Sequence, residues 1–258
     1  MSDPSGRRRL PLVLGSGAVV VVAIVAIAIG VNNASAPLPA LPTPTAAVPT
    51  PTPSPSPTAA PTIPFADCAT ASFGPVLAPL TPPASVHAYS AAPATTIDST
   101  KLYQATITTA KGSIVLCLQP ELAPNTVNVF VTLARNHFYD GIPFHRVVAK
   151  FVIQGGDPQC IGAVPAAPAT PSATCGSGGA GFQFNDEPVH QQYVEGALAM
   201  ANSGTNTNGS QFFICIADDS AQLQPLYNLF GKVESGMNVA LAIAQGDVMK
   251  SITVRQQK

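Results

Sequence analysis

The sequence contains no tryptophan, and only 10% of its 258 residues are charged. Its formal net charge of −1 gives no basic surplus of the kind that nucleic-acid binding requires, so we expect no nucleic-acid partner. Histidine is scarce, and no histidine has a second ligand at metal-site spacing, so a structural role is favoured for His87, His137, His145 and His190. No nucleophile–base pair or carboxylate pair stands out either. We therefore expect neither metal nor other cofactor.

Charge is also missing from the whole stretch between Arg9 and Asp67. Residues 10–31 form an apolar run preceded by three arginines, and as a helix it would be about 33 Å long, enough to cross a bilayer core of about 30 Å. The arginines should stay on the cytoplasmic side. We predict a cytoplasmic basic tail at residues 1–9 and a transmembrane signal-anchor at residues 10–31. The chain would then be a single-pass protein of the cell membrane.

A cleaved signal peptide is the alternative, with Ala34, Ser35 and Ala36 as the small-residue cleavage site. Pro37 directly after that site disfavours cleavage, and the apolar run is long for a signal peptide. The uncleaved anchor is therefore the preferred interpretation. No cysteine lies just after the run, which argues against a lipid anchor.

Proline is abundant in residues 32–64, which hold 11 of the 27 prolines among alanine, serine and threonine. Such a segment buries too little apolar surface to offset its ordering entropy, so we predict a disordered linker that acts as a stalk. Residues 65–98 remain rich in proline but carry scattered apolar side chains. We interpret them as an extended lead-in that partly packs on the domain formed by residues 99–258.

Short alternating runs dominate residues 99–258. Residues 103–109 and 114–118 alternate around a Lys111–Gly112 turn, which predicts a β-hairpin, and Pro124 opens a helix that ends near Asn136. Further predictions are strands at residues 142–148, 151–154, 196–201, 211–216, 228–233 and 250–254, and a helix at 237–244. This pattern predicts a mainly β fold, a closed antiparallel eight-stranded barrel capped by two α-helices.

Two stretches combine apolar strands with isolated polar side chains, Pro143–Pro158 (PFHRVVAKFVIQGGDP) and Gly196–Ile214 (GALAMANSGTNTNGSQFFI). Arg146 is a lone cation in an apolar strand and must either reach water or meet an acceptor. Strand alternation places Gln211 and Phe213 on one face and Phe212 on the core side. We expect a concave outer face with an apolar floor and a polar rim.

The motifs FHRVV…FVIQGGDP, MAN…TNTNGSQFFI and LFGKV make residues 101–252 resemble a cyclophilin, a peptidyl-prolyl cis/trans isomerase, here of a bacterial, membrane-anchored, extracytoplasmic kind. The resemblance implies that Arg146 hydrogen-bonds the substrate around the twisted prolyl amide and that Phe151 and Phe213 hold the proline ring. It further implies catalytic roles for Gln154 and Gln211. The implied substrate-binding residues are Ala201, Asn202, Val152, Leu223 and Tyr227.

The sequence departs from that family in two places. Family members often carry a tryptophan and a histidine before the FGKV strand, whereas here Gln222 or Leu223 lies near the tryptophan position and Tyr227 replaces the histidine. Residues 158–180 form an insertion rich in alanine, proline, glycine and serine. The insertion contains Cys160 and Cys175, the best disulfide candidate among five cysteines.

The other three cysteines allow weaker statements. Cys68 is a candidate partner for Cys117, which would tie the lead-in to the barrel, while Cys215 lies in an apolar strand and is expected to be a packed thiol.

The sequence thus favours a monomeric isomerase that binds proline-containing polypeptides and helps exported proteins to fold. A non-catalytic peptide-binding or scaffolding module is the alternative. A stalked structural protein would explain the N-terminal half but not the paired motifs. Retention of Arg146, Phe151, Gln211 and Phe213 favours the enzyme, because a non-catalytic binder would be free to lose them.

Overall fold

The computed structural model describes residues 60–81, 85–164 and 174–258. The chain divides into two units, Met1–Pro55 and Ser56–Lys258, and all described residues belong to the second. The predicted basic tail, the transmembrane anchor and residues 32–59 of the predicted linker lie outside the described residues. Among the helices described, none has the length and apolar character needed to span a membrane.

The described residues form one sheet of nine strands and two α-helices. The strands are β1 (Phe73–Val76), β2 (Tyr103–Thr109), β3 (Gly112–Leu118), β4 (Arg146–Val147), β5 (Val152–Gly155), β6 (Ala197–Met200), β7 (Phe212–Cys215), β8 (Leu229–Ser235) and β9 (Ser251–Gln257). The helices are α1 (Pro124–Arg135) and α2 (Met237–Ala242), with short 3-10 helices at Cys68–Thr70 and Pro158–Cys160. The predicted mainly β fold with two helices is confirmed.

The β2–β3 hairpin follows directly from the alternation of its residues. The register runs from Tyr103 opposite Leu118 to Thr109 opposite Gly112. Every second residue of β2 is buried, which puts Ala105 and Ile107 in the core. Gly112 adopts a φ of 128°, a conformation that side chains disfavour, and this explains glycine at the turn.

The closed eight-stranded barrel is the part of the predicted fold that is wrong. Strand order is β1-β9-β2-β3-β8-β6-β7-β5-β4, so β1 and β4 are the edges of an open sheet. Residues 142–148, predicted as one strand, form only the two-residue β4. Residues 141–144 instead hydrogen-bond residues 246–249, and this short contact, centred on an isolated bridge between Pro143 and Val248, is not a strand. The ninth strand, β1, comes from the lead-in and pairs with β9.

Two clusters of buried side chains lie on opposite faces of the sheet strands. The inner core is centred on Phe130 of α1, whose ring lies 5.2–5.3 Å from the rings of Tyr139, Phe212 and Phe230. The outer cluster is smaller, and it consists of Leu122, Val152, Tyr193, Ala197, Ala199, Phe213, Cys215 and Leu229. Adjacent residues of β7 therefore serve different clusters, Phe212 the inner core and Phe213 the outer cluster.

The first turn of α1 is capped by a residue distant in sequence. Ala123 at the N-cap has no side-chain acceptor, and Pro124 follows it. The Glu187 carboxylate accepts hydrogen bonds instead from the backbone N–H groups of Asn125 (2.9 Å) and Thr126 (2.8 Å) and from the Thr126 hydroxyl (2.6 Å). Asn228 orients Glu187, because its side-chain oxygen accepts from the Glu187 N–H at 2.8 Å.

Replacing Glu187 with alanine is expected to lower the free energy of unfolding by about 1–2 kcal/mol, the typical cost of losing a helix cap. Urea denaturation monitored by circular dichroism measures the effect. Glu195, an exposed carboxylate, provides the matched control, and its alanine variant should be nearly neutral. Equal stabilities for the two variants would show that Glu187 contributes nothing as a cap.

The lead-in is part of the folded unit, attached by one covalent bond and several hydrogen bonds. Cys68 is bonded to Cys117 of β3, with the two Cα atoms 5.6 Å apart. The Gln119 side chain accepts from the Ala66 N–H at 2.8 Å and donates to the Pro64 carbonyl at 3.1 Å. Phe65 packs against the outer cluster, as does Ile63 from the end of the predicted linker. The lead-in thus covers part of the outer face.

Candidate active site

Arg146 lies on the edge strand β4, directly opposite Gln154 of β5. The side chain is exposed, and one guanidinium nitrogen donates to the Gln154 Oε1 at 3.4 Å. Its Cζ lies 5.7 Å from the centre of the Phe151 ring. The described residues place no carboxylate within salt-bridge distance of Arg146. The cation therefore lies at the rim of an aromatic surface without a neutralising anion, which suits it to bind a ligand.

A chain of side-chain amides continues from Arg146 across the sheet. Gln154 Nε2 donates to Gln211 Oε1 at 3.0 Å. Gln211 Nε2 in turn donates to the carbonyl oxygens of Gly176 (3.0 Å) and Gly178 (2.9 Å). We call Arg146, Gln154 and Gln211 the amide chain. It connects the exposed cation to the backbone of residues 176–178, in the last part of the predicted insertion.

An apolar floor lies beside the amide chain. Phe213 of β7 pairs with Gln154 across the β5–β7 ladder and is only 5% exposed. Its ring meets the Tyr227 ring edge-on, with centroids 5.5 Å apart. Val152 belongs to the same outer cluster, and the partly buried side chains that pack on that cluster include Phe151, Ala201, Leu223 and Tyr227. The floor is thus made of aromatic and aliphatic side chains, the kind of surface on which an apolar ring can lie.

A polar cleft of about 590 Å³ adjoins the amide chain on its Gln211 side. Gln154, Ala201, Asn202 and Gln211 line one part of it, and the backbone of residues 176–179 lines another. The Asn202 side chain donates to the Leu226 carbonyl at 2.8 Å, which ties the cleft to the loop carrying Leu223 and Tyr227. Unpaired backbone of an extended peptide can find donors and acceptors here.

The structure brings the predicted site residues together on one surface. Arg146, Phe151, Gln154, Gln211 and Phe213 are joined by the contacts given above, and Val152, Ala201, Leu223 and Tyr227 belong to the same floor. Asn202 lies at the edge of the polar cleft rather than on the floor. The described residues thus supply a donor, an aromatic floor and a peptide-sized cleft in one place.

Tyr193 supports this surface although no sequence pattern singled it out. Its hydroxyl donates to the Tyr227 carbonyl at 2.8 Å and accepts from the Tyr227 N–H at 3.0 Å, which holds the Tyr227 backbone in place. Burial raises the pKa of Tyr193 well above its usual range, so the hydroxyl stays protonated and able to donate. The separation of 34 residues along the chain explains why spacing alone gave no signal.

The cysteines are arranged in two disulfides and one buried thiol. Cys160 is bonded to Cys175 with Cα atoms 4.7 Å apart, and burial raises the pKa of the Cys215 thiol above its usual range. His145 lies beside the Cys160–Cys175 pair, with one ligand atom from each of the three residues within 4.8 Å of the others. Both sulfurs are engaged in the disulfide and are not available as thiolate ligands.

Comparison with known proteins identifies the family of this chain. Residues 104–257 match the family described as "Cyclophilin type peptidyl-prolyl cis-trans isomerase/CLD". A peptidyl-prolyl cis-trans isomerase of Helicobacter pylori is 40% identical over 156 residues, which cover 59% of this chain and 86% of that protein. Peptidyl-prolyl cis-trans isomerase B of Bacillus subtilis is 40% identical over 139 residues, covering 53% of this chain and 87% of the relative.

A solved structure agrees with these matches. The cyclophilin-type isomerase of Cryptosporidium parvum is 28% identical, with a TM-score of 0.50, and covers 59% of this chain and 97% of that one. The fold is thus that of a cyclophilin-type isomerase. The chain belongs to the cyclophilin-type peptidyl-prolyl cis-trans isomerase family and is an enzyme of that activity.

Proposed function

We propose that this isomerase accelerates X–Pro isomerisation in exported polypeptides, with Arg146 stabilising the twisted prolyl amide. The barrier of about 18–20 kcal/mol is the loss of amide resonance, so no covalent step is needed. As the amide twists, the lone pair of the prolyl nitrogen localises and becomes a hydrogen-bond acceptor. A donor placed beside that nitrogen binds the twisted state more tightly than either planar state, and this difference is what lowers the barrier.

The observation that carries the proposal is the position of Arg146 above the aromatic floor. The guanidinium lies 5.7 Å from the centre of the Phe151 ring and hydrogen-bonds Gln154, which faces Phe213 across the ladder. A proline ring held on Phe151 and Phe213 brings its nitrogen under the guanidinium. The preceding carbonyl then rotates toward the polar cleft.

Two features support an extracytoplasmic site of action. The described residues contain two disulfides, Cys68–Cys117 and Cys160–Cys175, and such bonds persist mainly in oxidising compartments. The apolar run at residues 10–31, preceded by Arg7–Arg9, supports a single-pass anchor with the isomerase domain outside the membrane. Exported chains that fold there are the substrates we propose, and the enzyme acts on them as a monomer.

A proline-limited refolding assay on residues 56–258 tests the activity. The uncatalysed step takes tens to hundreds of seconds, so catalytic amounts of enzyme should shorten the slow phase of a test protein. A slow phase that stays unchanged would favour the non-catalytic peptide-binding module. Protease treatment of intact cells and of inverted membrane vesicles tests the location, since only a domain outside the membrane is digested in the former.

The sequence of the loop before β8 indicates that cyclosporin should inhibit this isomerase only weakly. Cyclosporin is a cyclic peptide that blocks many cyclophilins by lying across their substrate-binding surface. Its binding in those proteins depends on the loop tryptophan, whose place is taken here by Gln222 or Leu223. Loss of a hydrogen bond and of aromatic area, each about 1 kcal/mol, weakens binding by one to two orders of magnitude.

Titration of cyclosporin into the refolding assay measures this effect. Leu223→Trp or Gln222→Trp should restore part of the sensitivity. Leu241, which is 55% exposed and lies on α2, gives the matched control, and Leu241→Trp should restore none. Tight inhibition of the natural sequence would show that the loop contributes less than we infer.

A further inference from the structure

Asp157 is a fully buried carboxylate placed just after β5, at the N-cap of the 3-10 helix Pro158–Cys160. Within the described part of the chain it accepts three backbone hydrogen bonds. One comes from Gln159 at 2.9 Å, as expected of a cap, and the other two come from Gly176 at 2.7 Å and Gly178 at 2.9 Å. A carboxylate in a poorly hydrated site binds such donors strongly, so Asp157 fixes the backbone of residues 176–178.

The same backbone segment holds Gln211. The carbonyl oxygens of Gly176 and Gly178 both accept from Gln211 Nε2, so the two N–H bonds of that amide are used by the loop. The Gln211 oxygen must then face Gln154, whose Nε2 donates to it, and the Gln154 oxygen faces Arg146. The loop carbonyls therefore favour one orientation of the Gln211 amide and, through it, of the rest of the amide chain.

Packing around Asp157 allows this segment little freedom. A Cβ added to Gly178 would lie 2.5 Å from the Asp157 Oδ1 and 2.6 Å from the Gln159 Cδ, so a larger residue there would displace Asp157 or Gln159. The Cys160–Cys175 bond joins the capped 3-10 helix to the residue just before Gly176. If the loop carbonyls moved, the Gln211 amide could turn over, and the resulting flip of Gln154 would point an N–H at the guanidinium.

We propose that Asp157 is a positioning residue for catalysis, acting through the loop carbonyls and Gln211 on the orientation of Arg146, and that the Cys160–Cys175 disulfide maintains this arrangement. The proposal deepens the proposed function and rests on the catalytic role given there to the amide chain. Asp157 does not touch the substrate. Its effect is on the turnover of bound substrate more than on its binding.

The test compares Asp157→Asn with the natural full chain, measuring kcat and KM on a prolyl peptide and thermal unfolding in parallel. Asparagine keeps the shape but places an N–H against the loop donors. We expect kcat to fall about tenfold while KM changes less than twofold, because misplacement of catalytic groups mainly affects the transition state. Asp67→Asn is the matched control, since Asp67 caps the other 3-10 helix beside the Cys68–Cys117 disulfide. It should leave kcat unchanged.

A double-mutant cycle separates positioning from a merely structural role. If Asp157 acts through Gln211, Asp157→Asn should change the rate of Gln211→Ala less than twofold, because the group to be positioned is already gone. An equal loss in both backgrounds would overturn the proposal, as would an unchanged kcat in folded Asp157→Asn. If Gln211→Ala itself keeps the full rate, the positioning proposal falls while the role of Arg146 is still decided by its own variant.

The Cys160→Ser/Cys175→Ser variant covers the case in which Asp157→Asn does not fold. It retains the carboxylate and loosens only the loop, so its kcat should fall in the natural background and not in Gln211→Ala. The corresponding Cys68→Ser/Cys117→Ser variant should lose stability but keep kcat. Equal kcat for both cysteine variants would contradict the role proposed for the loop.

Discussion

Replacing Arg146 with alanine is expected to lower kcat/KM by about 100-fold, since removal of one donor that stabilises developing charge typically costs about 2.7–4 kcal/mol. The guanidinium is exposed and lacks a carboxylate partner among the described residues, so its removal leaves no buried charge unpaired. Stability should therefore change little while activity collapses. Arg146→Lys should recover only part of the rate, because an ammonium lacks the planar fork that meets both Gln154 and the prolyl nitrogen.

The refolding assay and thermal unfolding, run on the same preparations, check this result. Arg255 provides the control, because it is an exposed arginine on β9, beside the edge strand β1 and away from β4 in the strand order. Arg255→Ala should be fully active. Full activity of a correctly folded Arg146→Ala variant would refute the proposed mechanism, whatever the other variants show.

Phe212→Ala should mainly lower stability, whereas Phe213→Ala should mainly weaken substrate binding, although the two residues are adjacent. Phe212 is fully buried between Phe130 and Tyr139, so Phe212→Ala should lower the free energy of unfolding by about 3–5 kcal/mol through lost burial and the cavity left behind. Phe213 is part of the apolar floor of the site. Phe213→Ala should raise KM for prolyl peptides at least tenfold, because the proline ring loses part of the floor that holds it. The loss of stability should be smaller than for Phe212→Ala.

Chemical denaturation and steady-state kinetics distinguish the two outcomes. Phe212→Leu should restore most of the stability of Phe212→Ala, since a volume-conserving core substitution is usually tolerated. Phe213→Leu should restore stability but less of the affinity, because it fills space without an aromatic face. A Phe213→Ala variant that binds prolyl peptides normally would exclude this residue from the proline-binding floor.

Local patterns predicted the elements of this fold well because each pattern has a direct geometric cause. The alternation in residues 103–109 is what burial of one strand face requires, and it gave the β2–β3 hairpin. The same period of two put Phe212 and Phe213 on opposite faces. Pro124 marked the start of α1, because a missing N–H is harmless in the first turn.

Closure of the sheet was not predictable in the same way. It depends on whether two segments that are distant in sequence complete a ladder, and here residues 141–144 and 246–249 share only a short set of backbone hydrogen bonds around one isolated bridge. Strand β1 shows no alternation around Gly74 and Pro75, and its partner β9 lies at the opposite end of the domain sequence. The contacts of Asp157 with Gly176 and Gly178 are backbone hydrogen bonds, which residue types alone do not reveal.

The Cys68–Cys117 bond has a mechanical consequence. A tensile force applied to the chain before Ala60 first meets the hydrogen bonds of Pro61 and Ile63 with His190 and Gln191, which can open one at a time. It then reaches Cys68, where a covalent bond transfers it to β3, an interior strand flanked by β2 and β8. The edge strand β1 lies beyond that junction, so the disulfide diverts tension from it. Strands β4, β5 and β7 would therefore keep their geometry while the protein is pulled.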